Sequence, residues 1–252
     1  MPDFLQRSFC MERSPCSVRL IDRHEIAENT AAIFLSKPPG FIFTPGQHLE
    51  LIIPHPIETD HGGNKRDFSL CSAPFERELV LAMRLRESAF KRSIACILLG
   101  DDLLIESPFG SFRLHADTEN PAVFIAGGIG IAPFMSILRQ EAHDGFPHTI
   151  TLFYSNRHPE DAAFLKELQT LSAQERRFTF VPTMTDIKNS RQIWAGEMDR
   201  ISKDMIAKYI FDFTTPLYYI AGSPAMVAAA EKLLTDMGIS LDRIRTEEFA
   251  GY

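Results

Sequence analysis

The spacing of hydrophobic residues changes character near residue 116 of this 252-residue chain. Before that point, short runs of β-branched and aliphatic residues alternate with turns rich in proline and glycine, a pattern typical of antiparallel β-barrels. The predicted strands are 17–26, 31–35, 48–53, 66–72, 79–86 and 103–106, and one helix is predicted at 91–99. We therefore expect an antiparallel β-barrel domain over residues 1–117.

After residue 117, hydrophobic strand segments alternate with helical segments. Such alternation is typical of an α/β domain in which helices cover both faces of a parallel sheet. The predicted strand–helix pairs are 122–126 with 133–143, 149–154 with 160–171, 178–182 with 203–209, and 217–221 with 224–237. The sequence thus predicts two domains, the second being an α/β parallel-sheet nucleotide-binding domain at residues 118–252.

The uncharged segment 122–138 is the main evidence for the predicted nucleotide-binding domain. A membrane span needs about 20 apolar residues, and internal glycines would weaken a helix there. A buried strand, a glycine turn (Gly127, Gly128, Gly130) and a helix from Pro133 fit better, since proline suits the first helical turn. Free backbone N–H groups at such a turn favour a phosphate.

Net charge and cysteine spacing limit which partners and cofactors are expected. The net charge of −7 disfavours nucleic acid. The four cysteines are scattered, and their spacing suits neither zinc, an iron–sulfur cluster nor a redox pair, so no metal site is expected. The first residues lack the pattern of a signal peptide, and no transmembrane segment is expected. The thiols therefore favour a reducing cytoplasm.

Two polar segments suggest ligand contacts. Ser155 and Arg157 follow the second strand of the α/β domain, where a hydroxyl and a guanidinium suit a 2′-phosphate and so favour NADPH over NADH. The alternative is a solvated loop in which Asp161 pairs with the arginine. In the barrel, Arg66, Phe68 and Ser69 offer a fork for a diphosphate, a flat face and a hydroxyl donor, unless they merely follow strand alternation.

Together these segments resemble the ferredoxin–NADP⁺ reductase superfamily, in which an FAD-binding barrel precedes an NAD(P)-binding domain. We expect no iron–sulfur cluster beside them, because the cysteine spacing suits none. The family pattern R-x-[YF]-S-x-x-S-x-P matches residues 66–74, G-P-x-G matches 107–110 with serine first, and G-G-x-G-x-x-P matches 127–133. C-G-x-P-x-M matches 221–226 with alanine first, and residues 247–252 look like the E-x-F tail. Five motifs in order cover nearly the whole chain.

The resemblance implies roles for individual residues. Ser69 would donate a hydrogen bond to flavin N5 and Glu248 would relay a proton, although Glu248 could simply end a strand. FAD would contact Arg66, Asp67, Phe68, Ser69, Arg84, Arg86, Ser88 and Lys91. NADPH or NADH would contact Gly127, Gly128, Gly130, Pro133, Ala221 and Gly222, in addition to Ser155 and Arg157 as argued above. Tyr252 would cover the flavin face where the nicotinamide must bind. The cations in the barrel set could otherwise form an exposed basic face, and Tyr252 could be a frayed terminus.

Three functions remain open from the sequence. The first is an FAD-dependent NAD(P)H oxidoreductase that passes hydride from nicotinamide to FAD N5. Its electrons would continue to a ferredoxin, a flavodoxin, an oxygenase component or a small oxidant. The second is a slow or non-catalytic flavin-binding regulatory module, because Phe68, Ser107 and Ala221 depart from the residues the family favours. The third is a free-flavin reductase, against which the cations near Arg66 argue.

Overall fold

The computed structural model describes residues 15–85, 88–106 and 108–249. Its first sheet is antiparallel, with strand order β4-β3-β6-β1-β2-β5. These strands are β1 (Cys16–Ala27), β2 (Thr30–Ser36), β3 (His48–Ile52), β4 (Lys65–Ser69), β5 (Glu78–Arg84) and β6 (Asp102–Ile105), and α1 (Ala89–Cys96) lies between β5 and β6. The bridge between Leu70 and Leu81 brings the two edges together. The expected barrel-like sheet is confirmed.

Alternation along the strands fills the barrel interior. Val18 and Leu20 of β1 are buried while their immediate neighbours are exposed. Ile33 and Leu35 of β2 are buried as well, although Ala32 beside them is also buried. Burying each such side chain contributes about 1.5–3 kcal/mol. The barrel interior is therefore filled mainly by aliphatic and aromatic side chains.

The second sheet is parallel throughout, with strand order β10-β9-β8-β7-β11-β12. Its strands are β7 (Ala122–Gly127), β8 (Ile150–Asn156), β9 (Phe178–Met184), β10 (Glu197–Met198), β11 (Leu217–Gly222) and β12 (Ile244–Glu248). The helices are α2 (Ala132–His143), α3 (Leu165–Gln174), α4 (Lys203–Tyr209) and α5 (Pro224–Asp236). Because the strands are parallel, all their carboxyl ends lie along one edge, where ligands bind in open α/β sheets.

The two domains share part of their cores. Ala32, Val80 and Phe112 from the first part of the chain belong to the same buried cluster as Phe134 of α2. A buried hydrogen bond also joins them, since Ser136 Oγ donates to the Ser72 carbonyl over 2.6 Å. The relative position of the two sheets is thereby fixed by packing. Within the described residues, no helix has both the length and the apolar character that crossing a bilayer requires.

Candidate functional site

The glycine turn packs directly against β11. After β7, residues Gly128–Ile131 form a single 3₁₀ turn, and Gly128 has φ 54°, a left-handed conformation that favours glycine. A Cβ on Gly130 would lie 2.2 Å from the Ala221 carbonyl oxygen, so no side chain fits there. Pro133 lies in the first turn of α2, which begins one residue earlier than expected, at Ala132. The backbone of the turn therefore lies between β7 and β11, above the edge of the sheet.

A cavity of about 930 Å³ opens beside this turn. Its volume suits a nucleotide-sized ligand. The predicted contact residues Arg84, Gly127, Gly128, Ser155 and Arg157 all line it. Because β7 lies between β8 and β11 in the sheet, an extended ligand over the turn would reach β11 at one end and β8 to β10 at the other.

Arg84 enters this cavity from the barrel domain. Its Nη2 lies 3.5 Å from the position a Cβ of Gly128 would take, and its Nη1 is 3.7 Å from Asp161 Oδ1. The resemblance assigned Arg84 to the flavin diphosphate. The structure places the guanidinium beside the glycine turn of the α/β domain.

Arg157 makes an ion pair with a residue that the sequence did not single out. Its Nη2 lies 3.1 Å from Asp186 Oδ2, while Asp161 contacts His158 and Arg84 instead. Hydrogen bonds from Asn189 and Arg157 hold the pKa of Asp186 below its usual value. The Arg157 side chain is 73% exposed, so it remains within reach of a ligand.

The arginine of the first barrel motif pairs with an acidic side chain. Arg66 Nη2 lies 2.5 Å from Asp60 Oδ1, and the Arg66 guanidinium stacks 5.3 Å from the Phe90 ring centroid. The Arg66 hydrogen bond is the main cause of a lowered pKa at Asp60, to which the N–H groups of Gly62 and Ala89 contribute. Ser88 caps α1 by accepting a hydrogen bond from the Lys91 N–H over 3.2 Å. Asp60 thus occupies donors at the start of α1.

Ser69 is buried, and its Oγ has no hydrogen-bond partner among the described residues. The neighbouring Phe68 is 9% exposed, and its ring centroid lies 6.0 Å from that of Phe90. Asp67 is exposed on the rim. Buried hydroxyls nearly always have a partner, so the Ser69 hydroxyl is a candidate ligand contact.

A histidine and a glutamate meet where the two domains join. His48 Nδ1 lies 3.7 Å from Glu247 Oε1, and this partner is the main cause of a raised pKa at His48. Glu247 Oε2 is buried without a hydrogen-bond partner in the described part of the chain. The turn glycine Gly110 leaves room for the imidazole, because a Cβ there would lie 2.9 Å from His48 Nδ1.

Strand register places this pair beside two predicted site residues. His48 is opposite Ser69 in the β3–β4 pair, and Ala221 is opposite Glu247 in the β11–β12 pair. Residues in register project to the same face of a sheet. The domain junction therefore brings Ser69, His48, Glu247 and Ala221 close together.

Several predicted residues lie elsewhere. Glu248 is exposed at the end of β12, opposite Gly222, whose carbonyl accepts a hydrogen bond from the Phe249 N–H over 2.9 Å. Arg86, Ser107 and Tyr252 lie outside the described residues. Among the residues that the structure describes, no cluster of His, Cys, Asp or Glu could hold a metal ion.

Sequence reasoning missed Asp60, His48, Glu247 and Asp186. For Glu247 a signal existed, because it, and not Glu248, is the glutamate of the E-x-F pattern that ends at Phe249. For the others no local signal was available. The partners of His48 and Asp186 are distant in sequence and meet them only through the fold, whereas Asp60 meets Arg66 across a turn of six residues.

One family model matches part of the α/β domain, and related proteins match most of the chain. A family model for the oxidoreductase NAD-binding domain matches residues 124–232. The reductase component of propane 2-monooxygenase from Rhodococcus jostii (strain RHA1) is 29% identical over 217 residues, covering 84% of this chain and 57% of the relative. The anthranilate 1,2-dioxygenase electron transfer component of Acinetobacter baylyi is 29% identical over 235 residues, covering 89% and 64%. The chain thus spans less than two thirds of the length of these relatives.

Solved structures share both domains. A ferredoxin NADP⁺ reductase from Neisseria gonorrhoeae with bound FAD and NADP aligns with a TM-score of 0.79 and 23% identity, covering 94% of this chain and 99% of that one. The flavohaem-like FAD/NAD-binding domain of nitric oxide dioxygenase from Vibrio cholerae aligns with a TM-score of 0.78 and 19% identity, with the same coverage. The chain therefore has the two-domain fold of the ferredoxin–NADP⁺ reductases, with an oxidoreductase NAD-binding domain at residues 124–232, and the predicted resemblance to that superfamily is confirmed.

Proposed function

We propose that this protein is an FAD-dependent NAD(P)H oxidoreductase that receives hydride from a nicotinamide and passes electrons to a separate acceptor. The observation that carries the proposal is the junction where Ser69 and His48 of the barrel meet Glu247 and Ala221 of the α/β domain. A flavin on the barrel and a nicotinamide over β11 would meet at that junction. The domain boundary then falls between residues 117 and 118.

The barrel residues fit FAD. The Ser69 hydroxyl is buried and unpartnered, as a hydrogen-bond donor reserved for the flavin would be. Arg66 and the start of α1, capped by Ser88, offer donors to a diphosphate. Bound FAD supplies an N5 atom that accepts hydride and a ring that releases electrons singly. Phe68 would lie against the ring, Lys91 would face the diphosphate, and Asp67 and Arg86 remain predicted contacts.

The α/β residues fit the nicotinamide nucleotide. The N–H groups of the glycine turn and the Arg84 guanidinium would hold the pyrophosphate, since Arg84 lies beside Gly128. The nicotinamide would then lie toward Ala221 and Gly222, where a close backbone approach is possible. The adenosine would lie toward Ser155 and Arg157 on the opposite side of the turn.

We assign the proton relay to Glu247 with His48 rather than to Glu248. Glu247 projects to the face shared with Ala221, and its carboxylate contacts His48. Glu248 is exposed. His48 would hold a proton next to Ser69, because Glu247 raises its pKa.

The acceptor is proposed from the relatives. The curated relatives are a monooxygenase reductase component and a dioxygenase electron transfer component. An oxygenase component, a ferredoxin, a flavodoxin or a small oxidant would serve here. We place the protein in the cytoplasm, where the separate thiols of Cys16, Cys71 and Cys96 would stay reduced.

Anaerobic reduction of the purified protein tests the function. Reconstituted with FAD, it should be yellow and lose its flavin absorbance when NADPH or NADH is added. A protein that cannot be reconstituted, or that stays yellow with both nucleotides, would refute the proposal. Flavin that binds but is never reduced would instead support the non-catalytic module.

One observation favours a second function, reduction of free flavin. Asp60 takes the Arg66 guanidinium and the Ala89 N–H, donors that a tightly bound diphosphate would need. The flavin would then dissociate readily. Dialysis separates the two functions, because a flavin-free protein that turns over FMN or FAD added as substrate is a flavin reductase. Loss of all activity until FAD rebinds stoichiometrically supports the first function.

A further inference from the structure

A histidine anchors the connecting segment, residues 108–121, to the α/β domain. The His115 backbone N–H donates to the Tyr219 hydroxyl of β11 over 3.0 Å, and His115 Nδ1 lies 2.9 Å from the same oxygen. His115 Nε2 lies 2.8 Å from the Asn120 carbonyl oxygen. Arg245 of β12 completes the anchor, because its guanidinium lies 5.4 Å from the Tyr219 ring centroid and donates to the Arg113 carbonyl over 2.9 Å.

These hydrogen bonds fit a neutral imidazole. A carbonyl oxygen can only accept, so His115 Nε2 carries a proton and donates it to Asn120. Nδ1 then has a lone pair that accepts from the Tyr219 hydroxyl, and the hydroxyl oxygen accepts from the His115 N–H. A second proton, on Nδ1, would face the hydroxyl oxygen, and the Tyr219 O–H would lose its acceptor. Protonation of His115 therefore breaks the pattern at its centre.

The surroundings of His115 also oppose a positive charge. The His148 ring lies edge-on to it with centroids 5.1 Å apart, and the Arg245 guanidinium lies on Tyr219. The buried Glu141 carboxylate of α2 is taken by His148, whose Nδ1 lies 3.0 Å from Glu141 Oε1. Asp117 of the connecting segment is exposed to solvent, which screens its charge. A charged His115 would thus lie between two basic groups without a buried carboxylate of its own.

The pKa of His115 follows from this environment. Burial is the main cause of a lowered pKa, and the charges of His148 and Arg245 lower it further, while the Asn120 carbonyl and Asp117 act in the opposite direction. The stabilisation from these contacts is complete above about pH 6.5, the unfolded value. It is lost as the pH falls through the lower, folded pKa. This is the opposite direction to the pH dependence that a raised pKa gives His48.

The anchor lies beside the domain junction. Arg245 and Glu247 are two positions apart on β12, so they project to the same face of the sheet. Arg245 donates to the Arg113 carbonyl, whereas Glu247 contacts His48, which forms a β-bridge with Phe109. The backbone from Phe109 to Arg113 therefore connects the anchor to the His48–Glu247 pair.

We propose that His115 is a proton-sensitive clasp, which holds the connecting segment on β11 and β12 while its imidazole is neutral and releases it when protonated. The shared core keeps the two domains packed, so the release is a local opening of the segment. The clasp does not depend on the proposed function. One consequence does rest on it, namely that release disturbs the junction where flavin and nicotinamide would meet and so slows hydride transfer in acid.

Hydrogen exchange at the amide of residue 115, followed by NMR in the purified protein carrying FAD, tests the clasp. In the wild-type protein, the protection factor should fall about tenfold or more between about pH 7.5 and about pH 5. His115→Gln keeps a donor and an acceptor but gains no charge, so its amide should stay equally protected at both values. Tyr219→Phe removes the hydroxyl that the amide contacts and should lower the protection at both.

The control and a direct titration use the same samples. His24→Gln removes an exposed histidine of the barrel and should keep the wild-type pH dependence. The imidazole signal that His115→Gln lacks belongs to His115, and it should titrate below about pH 6.5. A titration above that value, equal wild-type protection at both pH values, or an acid-induced loss in His115→Gln would each overturn the proposal.

Stopped-flow reduction of the flavin by NADPH or NADH tests the consequence for turnover. The wild-type rate should fall in acid more steeply than the rate of His115→Gln. If the segment opens in acid and the two rates stay parallel, the opening does not reach the junction, and that consequence is overturned. Absence of flavin reduction at every pH would instead refute the proposed function, while hydrogen exchange would still decide the clasp.

Discussion

At the scale of single residues, the site is an arrangement of charges that are satisfied within the protein. Three arginines form ion pairs with aspartates: Arg66 with Asp60, Arg84 with Asp161 and Arg157 with Asp186. Each arginine is predicted to bind an anion on a cofactor. An internal carboxylate keeps such an arginine in position but also competes with the anion, so affinity depends on both partners.

Asp60→Asn should tighten FAD binding. The carboxylate shares the Arg66 guanidinium and the Ala89 N–H with the expected diphosphate, and its charge repels that group. The amide keeps the size of the side chain and removes the charge, so we expect the dissociation constant of FAD to fall about tenfold. Flavin fluorescence titration of the stripped protein measures it.

Lys65 and Glu50 provide the control for Asp60. They form an ion pair on the same sheet, with Lys65 Nζ 2.9 Å from Glu50 Oε2, away from α1. Glu50→Gln should leave the affinity for FAD unchanged. A weaker affinity in Asp60→Asn would show that the carboxylate positions Arg66 instead of competing with the diphosphate.

The His48–Glu247 pair should make stability depend on pH. Because Glu247, with a smaller effect from Asp67, raises the pKa of His48 in the folded protein, the stabilisation is complete below about pH 6.5, the unfolded value. It is lost as the pH rises through the folded pKa. The pair is partly exposed, so the effect is no more than about 1 kcal/mol.

Denaturant unfolding of wild-type and His48→Gln protein over a pH series measures this contribution. The wild-type advantage should be largest at acidic pH and disappear under alkaline conditions. A constant difference across the series would show that His48 acts by packing alone. The same variant should lose a pH-dependent step in flavin reduction if the pair relays a proton.

At the scale of elements, runs of hydrophobic residues predicted most of the strands and helices. The strand, glycine turn and helix of 122–138 were predictable because burial on both faces requires an uncharged strand, and the glycine spacing marks the turn. Helix α3 begins at Leu165 rather than near residue 160, because Phe164 adopts a left-handed conformation with φ 59°. Strands β10 and β12 escaped prediction, since the first has two residues and the second is a charged edge strand.

Individual site residues were predictable only where a motif carries them. Ser69 and the glycines belong to contiguous patterns. His48 does not, because its neighbour Ser69 is set by strand register and its partner Glu247 lies nearly two hundred positions away. Arg84 shows the same limit, since the family resemblance implied a contact with the FAD diphosphate but only the fold places its guanidinium beside Gly128.

Gly130→Ala should destabilise the glycine turn. The added Cβ would lie 2.2 Å from the Ala221 carbonyl oxygen, and both atoms belong to buried backbone that has little freedom to shift. We expect a loss of about 2–4 kcal/mol in the free energy of unfolding, measured by denaturant titration.

Gly145→Ala is the matched control, because a Cβ there meets nothing within 4 Å and only the positive φ of 80° costs energy, about 1 kcal/mol. Equal losses in the two variants would contradict the steric argument.

At the scale of the whole molecule, the proposed hydride transfer across the domain junction requires that the domains hold one relative position. The shared hydrophobic cluster and the buried bond from Ser136 to Ser72 provide that rigidity. Arg139 of α2 adds to it, because it donates to the Cys71 carbonyl over 3.1 Å and pairs with Glu167 of α3. The strand that carries Ser69 is thus tied, two residues later, to the helix that begins at the glycine turn.

Because of this shared core, both domains should unfold in one cooperative transition. Trp194 is the single tryptophan of the chain, and it lies half-buried in the α/β domain, where its Nε1 donates to the Glu197 carbonyl. Its fluorescence therefore reports that domain, while release of FAD reports the barrel. In thermal unfolding the two signals should change at the same temperature.

Ser136→Ala leaves the buried Ser72 carbonyl without its partner, which costs about 1–3 kcal/mol, and should lower the midpoint temperatures of both signals together. If the FAD signal changed well before the tryptophan signal, the barrel would unfold independently, and the junction could not hold flavin and nicotinamide in register without a ligand to join them.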